Sequence, residues 1–199
     1  MRGPLPVLPV IEYLLSYSVP AGLERQALSA LTLNPDHRWH ERMDHALFVV
    51  TAQHEGSRVG VGIVHNAVTA PTQAPRPLEL GGMFVHPAYR RLGIRQHMAE
   101  SRLTYALSMG GTPITVIAHH NQTSWNYYGR SARWTPECEY LSDVTGRPMT
   151  IWVSTESPWH RTGRGLVPLV PAQPNTALPH YTQVHRPPLG PGQDNAVPA

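Results

Sequence analysis

Two arginines and a glycine stand directly before a helical stretch in the segment FVHPAYRRLGIRQHM, residues 84–98. The helix predicted from Ile94 has no Ser, Thr, Asp or Asn before it to cap its first N–H groups. Such uncapped N–H groups carry a partial positive charge and bind phosphate readily. Gly93 allows a phosphate to approach the backbone, and Arg90 and Arg91 add charge-assisted hydrogen bonds. The segment predicts a phosphate-binding site, with a loop carrying two solvated arginines as the alternative.

Other residues capable of chemistry form weaker patterns. His37, His40 and His45 have a spacing that metal ligands use, but no cysteine lies near them, and solvated histidines are the more frequent explanation. The single cysteine, Cys138, has no base beside it in the sequence, which indicates a structural residue. We therefore expect neither a metal site nor a cysteine nucleophile.

Alternating strand and helix patterns surround the phosphate-binding segment. Strand-like runs occur at 10–19, 46–53, 57–68 and 78–86, and the second and third of these form a predicted hairpin. Helical patterns occur at 21–31, 36–45, 94–109 and 122–132. Further strands are predicted at 113–120, around Trp134 and at 149–154. This alternation predicts an α/β (α+β) class, and the hairpin makes the sheet mixed.

Composition limits the class of protein and its surroundings. The 199 residues carry a net charge of +3, include one cysteine and contain no apolar run of the roughly 18 residues that a membrane span needs. The start of the chain is apolar but broken by prolines and by Glu12, which disagrees with a signal peptide. We expect a cytoplasmic protein with one domain at 1–153, followed by a proline-rich tail at 154–199 that is extended or disordered.

Three blocks of the sequence resemble motifs of the GNAT acyltransferase superfamily, in that family's order and spacing. The stretch 85–95 resembles its acetyl-coenzyme A motif, a strand ending Val-x-Pro and then Arg/Gln-x-x-Gly-x-Gly/Ala. Arg90 and Gly93 match this motif, whereas Arg95 stands where a small residue is usual. Residues 79–85 resemble the family strand Glu-Leu-x-x-Leu-Tyr-Val.

The third block, residues 121–132, resembles Asn-x-x-Ala-x-x-hydrophobic-Tyr-x-Lys-x-Gly, with Ser124, Arg130 and Ala132 in place of the commoner Ala, Lys and Gly. The resemblance as a whole covers residues 10 to about 153. It implies a GNAT-like mixed, mostly antiparallel central sheet flanked by helices.

The resemblance also implies roles for individual residues. Tyr128 matches a tyrosine that lies near the coenzyme A sulfur and can protonate the departing thiolate, although a core aromatic is the alternative. Glu79 matches a strand carboxylate that deprotonates the amine, with a simple pairing role as the alternative. Asn121 matches an asparagine that contacts the pantetheine arm, or it caps a helix. The implied coenzyme contacts are completed by Met83, Phe84, Val85, Arg90, Arg91, Leu92, Gly93, Ile94, Arg95 and Gln96.

The function implied is an N-acetyltransferase that moves an acetyl group from acetyl-CoA, its cosubstrate, to a primary amine by direct attack in a ternary complex. The reaction passes through a tetrahedral oxyanion. The family strand carries a bulge, and a backbone N–H just past it polarises the thioester carbonyl; the glycine pair at 81–82 permits such a bulge. The acceptor would be a small-molecule or peptide amine, with nucleic acid entering only as an aminoacyl-tRNA-type acceptor. We expect no membrane partner and no metal, and a homodimer is one option.

Two alternatives belong to other classes of protein. The first is a non-catalytic acyl-CoA-binding or regulatory module on the same fold, which Arg95 favours, while Glu79 and Tyr128 favour the enzyme. The second is an interaction scaffold, because the tail contains PLVPAQP at 168–174, a sequence that can adopt a polyproline helix.

Overall fold

The computed structural model describes residues 9–32, 37–67, 70–157, 159–162 and 165–168. The elements within these ranges, in chain order, are β1 (Glu12–Ser16), α1 (Gly22–Leu31), α2 (His37–Asp44), β2 (Ala46–His54), β3 (Ser57–Asn66), β4 (Pro77–Val85), a 3-10 helix (Pro87–Tyr89), α3 (Ile94–Ser108), β5 (Thr112–Ala118), α4 (Gln122–Arg130), β6 (Trp134–Leu141), β7 (Pro148–Ser154), β8 (Trp159–Thr162) and β9 (Gly165–Pro168). None of the helices in these ranges is long and apolar enough to cross a membrane.

Seven of the strands form one sheet in the order β1-β2-β3-β4-β5-β7-β6. Every neighbouring pair in it is antiparallel except β4 and β5, which are parallel. Parallel neighbours need a crossover connection, and α3 supplies it here. The predicted hairpin is the β2–β3 pair, in which His54 lies opposite Ser57 across a tight turn. The prediction of a mixed, mostly antiparallel sheet flanked by helices is therefore confirmed.

Apolar side chains alternate between the two faces of the sheet, and helices cover both. On one face α3 and α4 pack over Val50, Val64, Leu80 and Ile117. The opposite face is covered by α1 and α2, and its core consists of Leu28, Trp39, Met43, Ala46, Val49, Val61 and Ile63. The sheet thus separates two cores, and a residue on β4 faces one or the other according to its position along the strand.

The parallel pair of strands separates soon after it begins. Backbone pairing between β4 and β5 runs only from Pro77 opposite Thr112 to Glu79 opposite Ile114. Beyond Glu79, β4 continues to Val85 with no β5 partner, although it remains paired with β3 on its other side. The edge of β4 that faces β5 therefore has no backbone partner on β5 over its last six residues, although the Leu80 carbonyl accepts from Thr115 Oγ1 at 3.4 Å. An extended ligand can add to the rest of this edge as a strand does.

A β-bulge interrupts β4 in the same region. Val61 pairs with Phe84 and Ile63 with Gly81, so two steps along β3 correspond to three steps along β4. Gly82 lies in the bulge with a φ of 56°, in the left-handed region that favours glycine. The bulge that the glycine pair at 81–82 permits is therefore present in the structure.

The predicted domain boundary at 153/154 falls at the end of β7. Beyond it, β8 and β9 form a small antiparallel hairpin, and the indole N–H of Trp159 donates to the carbonyl of Gly110 at 3.2 Å. Most of the predicted tail, residues 169–199, lies outside the described residues, and so does most of the PLVPAQP segment.

Substitution of Gly82 by alanine should destabilise the fold more than the same change at Gly146. Both glycines have positive φ, 56° and 62°, but a Cβ on Gly82 would lie 2.6 Å from Ile63 Cδ1, whereas a Cβ on Gly146 would meet nothing within 4 Å. We expect Gly146→Ala to cost about 1 kcal/mol of unfolding free energy from backbone strain, and Gly82→Ala about 2–4 kcal/mol. Urea denaturation of both variants measures the difference, and equal losses would contradict a crowded bulge.

Candidate active site

The loop after β4 leads into α3 without a side-chain cap. Gly93 occupies the N-cap position with a φ of 77°, and its carbonyl accepts the first helical hydrogen bond from the His97 N–H at 3.1 Å. The N–H groups of residues 91–96 have no acceptor within the described part of the chain. A Cβ on Gly93 would meet no atom within 4 Å, so the space beside it is open. The start of α3 therefore presents free donors at the positive end of the helix dipole, an environment that fits a phosphate.

The backbone of this loop is strained at Arg91. Its φ of 67° lies in a region that non-glycine residues seldom occupy, at a cost of about 1–3 kcal/mol. The loop is fixed by local hydrogen bonds, from the Ala88 N–H to His86 Nδ1 and from Arg90 Nε to the Val85 carbonyl, both at 3.3 Å. Strained residues held in this way cluster at ligand-binding sites, which agrees with a ligand at the start of α3.

The residues predicted to contact the coenzyme differ in exposure. The Ile94 side chain is buried in the core, so only its backbone N–H is available to a ligand. The other members of the loop and helix start are exposed, namely Arg90, Arg91, Leu92, Gly93, Arg95 and Gln96. The strand residues Met83, Phe84 and Val85 are half-buried at the open end of β4.

Arg95 reaches across to α4. Its Nη2 donates to Ser124 Oγ at 3.1 Å, and its guanidinium carbon lies 5.6 Å from the centre of the Tyr127 ring, in cation–π contact. Two departures from the family motif thus meet in one contact, because Arg95 replaces a small residue and Ser124 replaces alanine. The charge of Arg95 is held between the two helices beside the start of α3.

On the face of the sheet covered by α2, Glu79 is buried next to two basic side chains. Its Oε1 lies 3.7 Å from His65 Nε2 and 3.9 Å from Arg42 Nε. His65 and Glu79 lie directly opposite each other on β3 and β4, and both side chains are almost fully buried. The carboxylate is located where β4 and β5 separate, at the last paired position of the two strands.

His65 is a neutral base with an unused acceptor. Its Nδ1 lies 2.7 Å from the carbonyl of Asn66, and since a carbonyl only accepts, Nδ1 carries the proton. Nε2 is then a bare acceptor, and it is buried without a hydrogen-bond partner. Burial lowers the pKa of His65, while the charge of Glu79 opposes that shift. Because Nε2 and the carboxylate both accept, a water or an amine N–H between them would satisfy both groups.

Tyr128 lies on the opposite face of the sheet, on α4. It is 7% exposed and packs edge-on against the rings of Trp134 and Tyr127, each with its centre 5.1 Å away. Its hydroxyl has no hydrogen-bond partner among the residues that the structure describes. The ring is therefore fixed by packing, while its polar end is available to a ligand.

Asn121 caps α4. Its Oδ1 accepts from the Ser124 N–H at 3.2 Å, the arrangement expected of an N-cap residue. The capping alternative considered for this residue is thus seen in the structure. A contact between its amide and the pantetheine arm stays a prediction, and the amide NH₂ is the group that could make it.

Within the described ranges, no group of three His, Cys, Asp or Glu side chains is arranged to hold a metal ion. Cys138 is half-buried on β6, where burial raises the pKa of its thiol and favours the unreactive protonated form. His65, by contrast, is a candidate functional residue that the sequence motifs did not assign.

A comparison with known families agrees with this fold. The profile of the acetyltransferase (GNAT) family matches residues 14–132, which include the bulged strand, the start of α3 and α4. The chain therefore belongs to the acetyltransferase (GNAT) family, whose members use acetyl-CoA. No curated protein matches the sequence.

Several solved structures share the fold at low sequence identity. An acyl-CoA N-acyltransferase from Pseudomonas aeruginosa is 16% identical, with a TM-score of 0.54 and coverage of 73% of this chain and 100% of that one. The ribosomal-protein-S18-alanine N-acetyltransferase of Escherichia coli is 13% identical, with a TM-score of 0.51 and coverage of 72% and 93%. Arabidopsis thaliana Naa50, in complex with the bisubstrate analogue CoA-Ac-MVNAL, is 12% identical, with a TM-score of 0.54 and coverage of 72% and 98%. At these identities the likeness concerns the fold alone.

The neutral state of His65 should make the protein less stable as pH falls. Its pKa in the folded chain lies below the ordinary value of 6.5, so in acid the unfolded chain takes up a proton at this position more readily than the folded chain. This stabilisation is present above pH 6.5 and is lost as pH decreases. Urea denaturation between about pH 7.5 and about pH 5.5 should show a smaller loss of unfolding free energy in His65→Gln than in the wild type.

The exposed His120 supplies the control for this measurement. His120→Gln makes the same replacement of an imidazole by an amide at an exposed position, so an equal change in both variants would not be specific to His65. A His65→Gln variant with the full pH dependence of the wild type would show that His65 is not the titrating group.

Arg95→Ala should weaken coenzyme A binding roughly tenfold, or about 1.4 kcal/mol, because it removes a positive charge beside the free N–H groups of α3. Ser124→Ala separates charge from anchoring, since it removes the hydrogen bond from Arg95 but keeps the guanidinium and the Tyr127 ring. Isothermal titration of both variants should give a smaller loss for Ser124→Ala. Tighter binding by Arg95→Ala would instead identify the side chain as an obstruction.

Proposed function

We propose that this chain is an acetyl-CoA-dependent N-acetyltransferase that acts on a primary amine by direct attack within a ternary complex. The observation that carries the proposal is the separation of β4 from β5 after Glu79. It opens a gap in the sheet, with the uncapped start of α3 at one end and polar side chains on both faces. A long ligand with an anionic end and an extended amide arm fits such a gap.

The residues around the gap would divide the binding of the coenzyme among them. The N–H groups of residues 91–96 would hold the pyrophosphate, with Arg90, Arg91 and Arg95 adding charge. The open edge of β4 at Met83 to Val85 would pair with the pantetheine arm, and Asn121 would offer its amide NH₂. When bound, the coenzyme supplies an acetyl group activated as a thioester.

The acceptor amine would lose its proton on the α2 face of the sheet. Glu79 and His65 Nε2 are two buried acceptors 3.7 Å apart, and an amine or a bridging water can donate to both. Arg42 lies on the same carboxylate, so its charge is already engaged in the described structure and does not by itself indicate an anionic acceptor. The acceptor we propose is a primary amine of a small molecule or a peptide.

The leaving group would be protonated from the α4 face. In the reaction the amine nitrogen forms a bond to the acetyl carbon, the carbon–sulfur bond breaks, and the thiolate takes up a proton. Tyr128 would donate that proton, because its hydroxyl has no partner among the described residues and its ring is fixed by packing. A bulge N–H at 82–83 would stabilise the negative charge on the thioester oxygen.

Two measurements test this function. Coenzyme A should raise the melting temperature by mass action, with a gain of about 2.7 kcal/mol at a ligand concentration 100 times its Kd. A panel of primary amines should then release free thiol from acetyl-CoA. Stabilisation without thiol release from any amine would indicate the non-catalytic acyl-CoA-binding module, and no stabilisation would contradict both.

Tyr128→Phe should reduce turnover with the best amine about 10- to 100-fold, because it removes the proton donor while keeping the ring. The Kd for coenzyme A should change little. Tyr17→Phe is the control, since it removes a hydroxyl from a half-exposed tyrosine on the same face of the sheet. Unchanged turnover in Tyr128→Phe would exclude Tyr128 as the acid.

A further inference from the structure

A charged side chain is buried behind the β4 bulge. Arg102, in the middle of α3, is 2% exposed and is among the largest fully buried side chains of the described residues. Its Nη1 donates to the carbonyls of Gly81 at 2.9 Å and Ile63 at 3.4 Å, and its Nε donates to the carbonyl of Met98 at 3.4 Å. Gly81 and Ile63 lie opposite each other on β4 and β3 at the edge of the bulge. The guanidinium therefore hydrogen-bonds to both strands at the point where the bulge interrupts their pairing.

This cation has no anionic partner. Within the described ranges no carboxylate forms a salt bridge with Arg102, and its acceptors are three neutral carbonyls. Burial lowers the pKa of its guanidinium to about 10, which leaves the group protonated at neutral pH. The titratable groups that act on it are Arg95 on its own helix, which lowers the pKa further, and Tyr127 and Tyr128 on α4, which oppose the shift.

The sheet is shaped to admit this side chain. A Cβ on Gly62 would lie 3.0 Å from both Cδ and Nε of Arg102, so any other residue at this position would crowd the stem of the arginine. Gly62 is on β3, next to Ile63, whose carbonyl accepts a hydrogen bond from the guanidinium. The close approach of Arg102 to the bulge thus depends on a missing Cβ in the neighbouring strand.

We propose that Arg102 is a positioning residue for acyl transfer, which fixes the carbonyls of Ile63 and Gly81 at the bulge and holds an uncompensated positive charge behind the thioester. The inference rests on the proposed function of this site. During transfer, negative charge develops first on the acyl oxygen and then on the sulfur, when the carbon–nitrogen bond has formed and the carbon–sulfur bond breaks. A preorganised charge in a water-poor core acts on both stages without being touched by the substrate.

The Gly81–Gly82 peptide links this charge to the acyl oxygen. A carbonyl that accepts from a cation polarises its peptide, and the N–H of the same peptide becomes a stronger donor. Arg102 binds the Gly81 carbonyl, and the N–H of that peptide belongs to Gly82 in the bulge. Arg102 would therefore act on the reacting atoms through backbone polarisation as well as through space.

The thiol of bound coenzyme A provides a readout that a purely structural role would not change. We expect the thiol pKa, measured by ultraviolet absorbance of the thiolate against bound desulfo-coenzyme A, to be lower on the wild-type protein than in free coenzyme A. Arg102→Met should raise it by about one unit, a tenfold change in the ionisation constant. Arg102→Lys keeps the charge and should retain most of the effect. Arg147→Met removes an exposed arginine and should leave the thiol pKa at the wild-type value.

Kinetics supply the second arm of the experiment. Arg102→Met should lower kcat for acetyl transfer at least tenfold with little change in KM for acetyl-CoA. If Arg102→Met does not fold, Arg102→Gln replaces it, since the amide removes the charge and keeps an N–H donor for the buried carbonyls. A thiol pKa and kcat equal to those of the wild type, in whichever of the two variants folds, would overturn the inference.

The proposed function fails separately from this inference. A wild-type protein that binds no coenzyme A would overturn both. A wild-type protein that binds coenzyme A but acetylates no amine would overturn the enzyme alone, and the thiol pKa of the bound coenzyme would still decide the role of Arg102.

Discussion

The structure depends on one strand that has to be both a member of the sheet and the edge of a cleft. β4 is paired with β3 on both sides of its bulge, yet its pairing with β5 ends at Glu79. Backbone groups left unpaired in a protein interior are costly unless another partner satisfies them. The bulge at Gly82 turns the strand in this region, and Arg102 donates to the Gly81 carbonyl beside it. The remaining open groups face the gap, where an extended ligand can pair with them.

The two faces of the sheet beside β4 carry different charged and titratable side chains. Glu79 faces α2, where its carboxylate and His65 Nε2 are proton acceptors and Arg42 lies beside the carboxylate. Arg102 and Tyr128 belong to the helices on the opposite side, where the charge is positive and the proposed proton donor is a phenol. A reaction that takes a proton from an entering amine and gives one to a departing thiolate needs this division, because the nucleophile and the leaving group occupy different sides of the acyl carbon.

The features that follow from local sequence were predictable, and those that follow from strand register were not. The start of α3 at Ile94 and the bulge at 81–82 both depend on neighbours in the chain, and glycine marks each position. His65 was not assigned, because its pairing with Glu79 depends on the connection at 67–76, whose length alone does not set a register. Sequence patterns could have identified it only through the approximate alignment of two adjacent strands.

Arg102 was missed for a different physical reason. It stands between Met98 and Tyr105 on the apolar side of α3, where an arginine is ordinarily assigned to solvent with its stem along the helix. A buried ion of this kind can often be exchanged for an apolar residue of similar volume with little loss of stability, but here the exchange would leave two buried carbonyls without their donor. A lysine can satisfy only part of that geometry while keeping the charge, and methionine can satisfy neither. The charge of Arg102 and its hydrogen bonds are therefore partly separable, since lysine keeps the charge and only part of the hydrogen bonding.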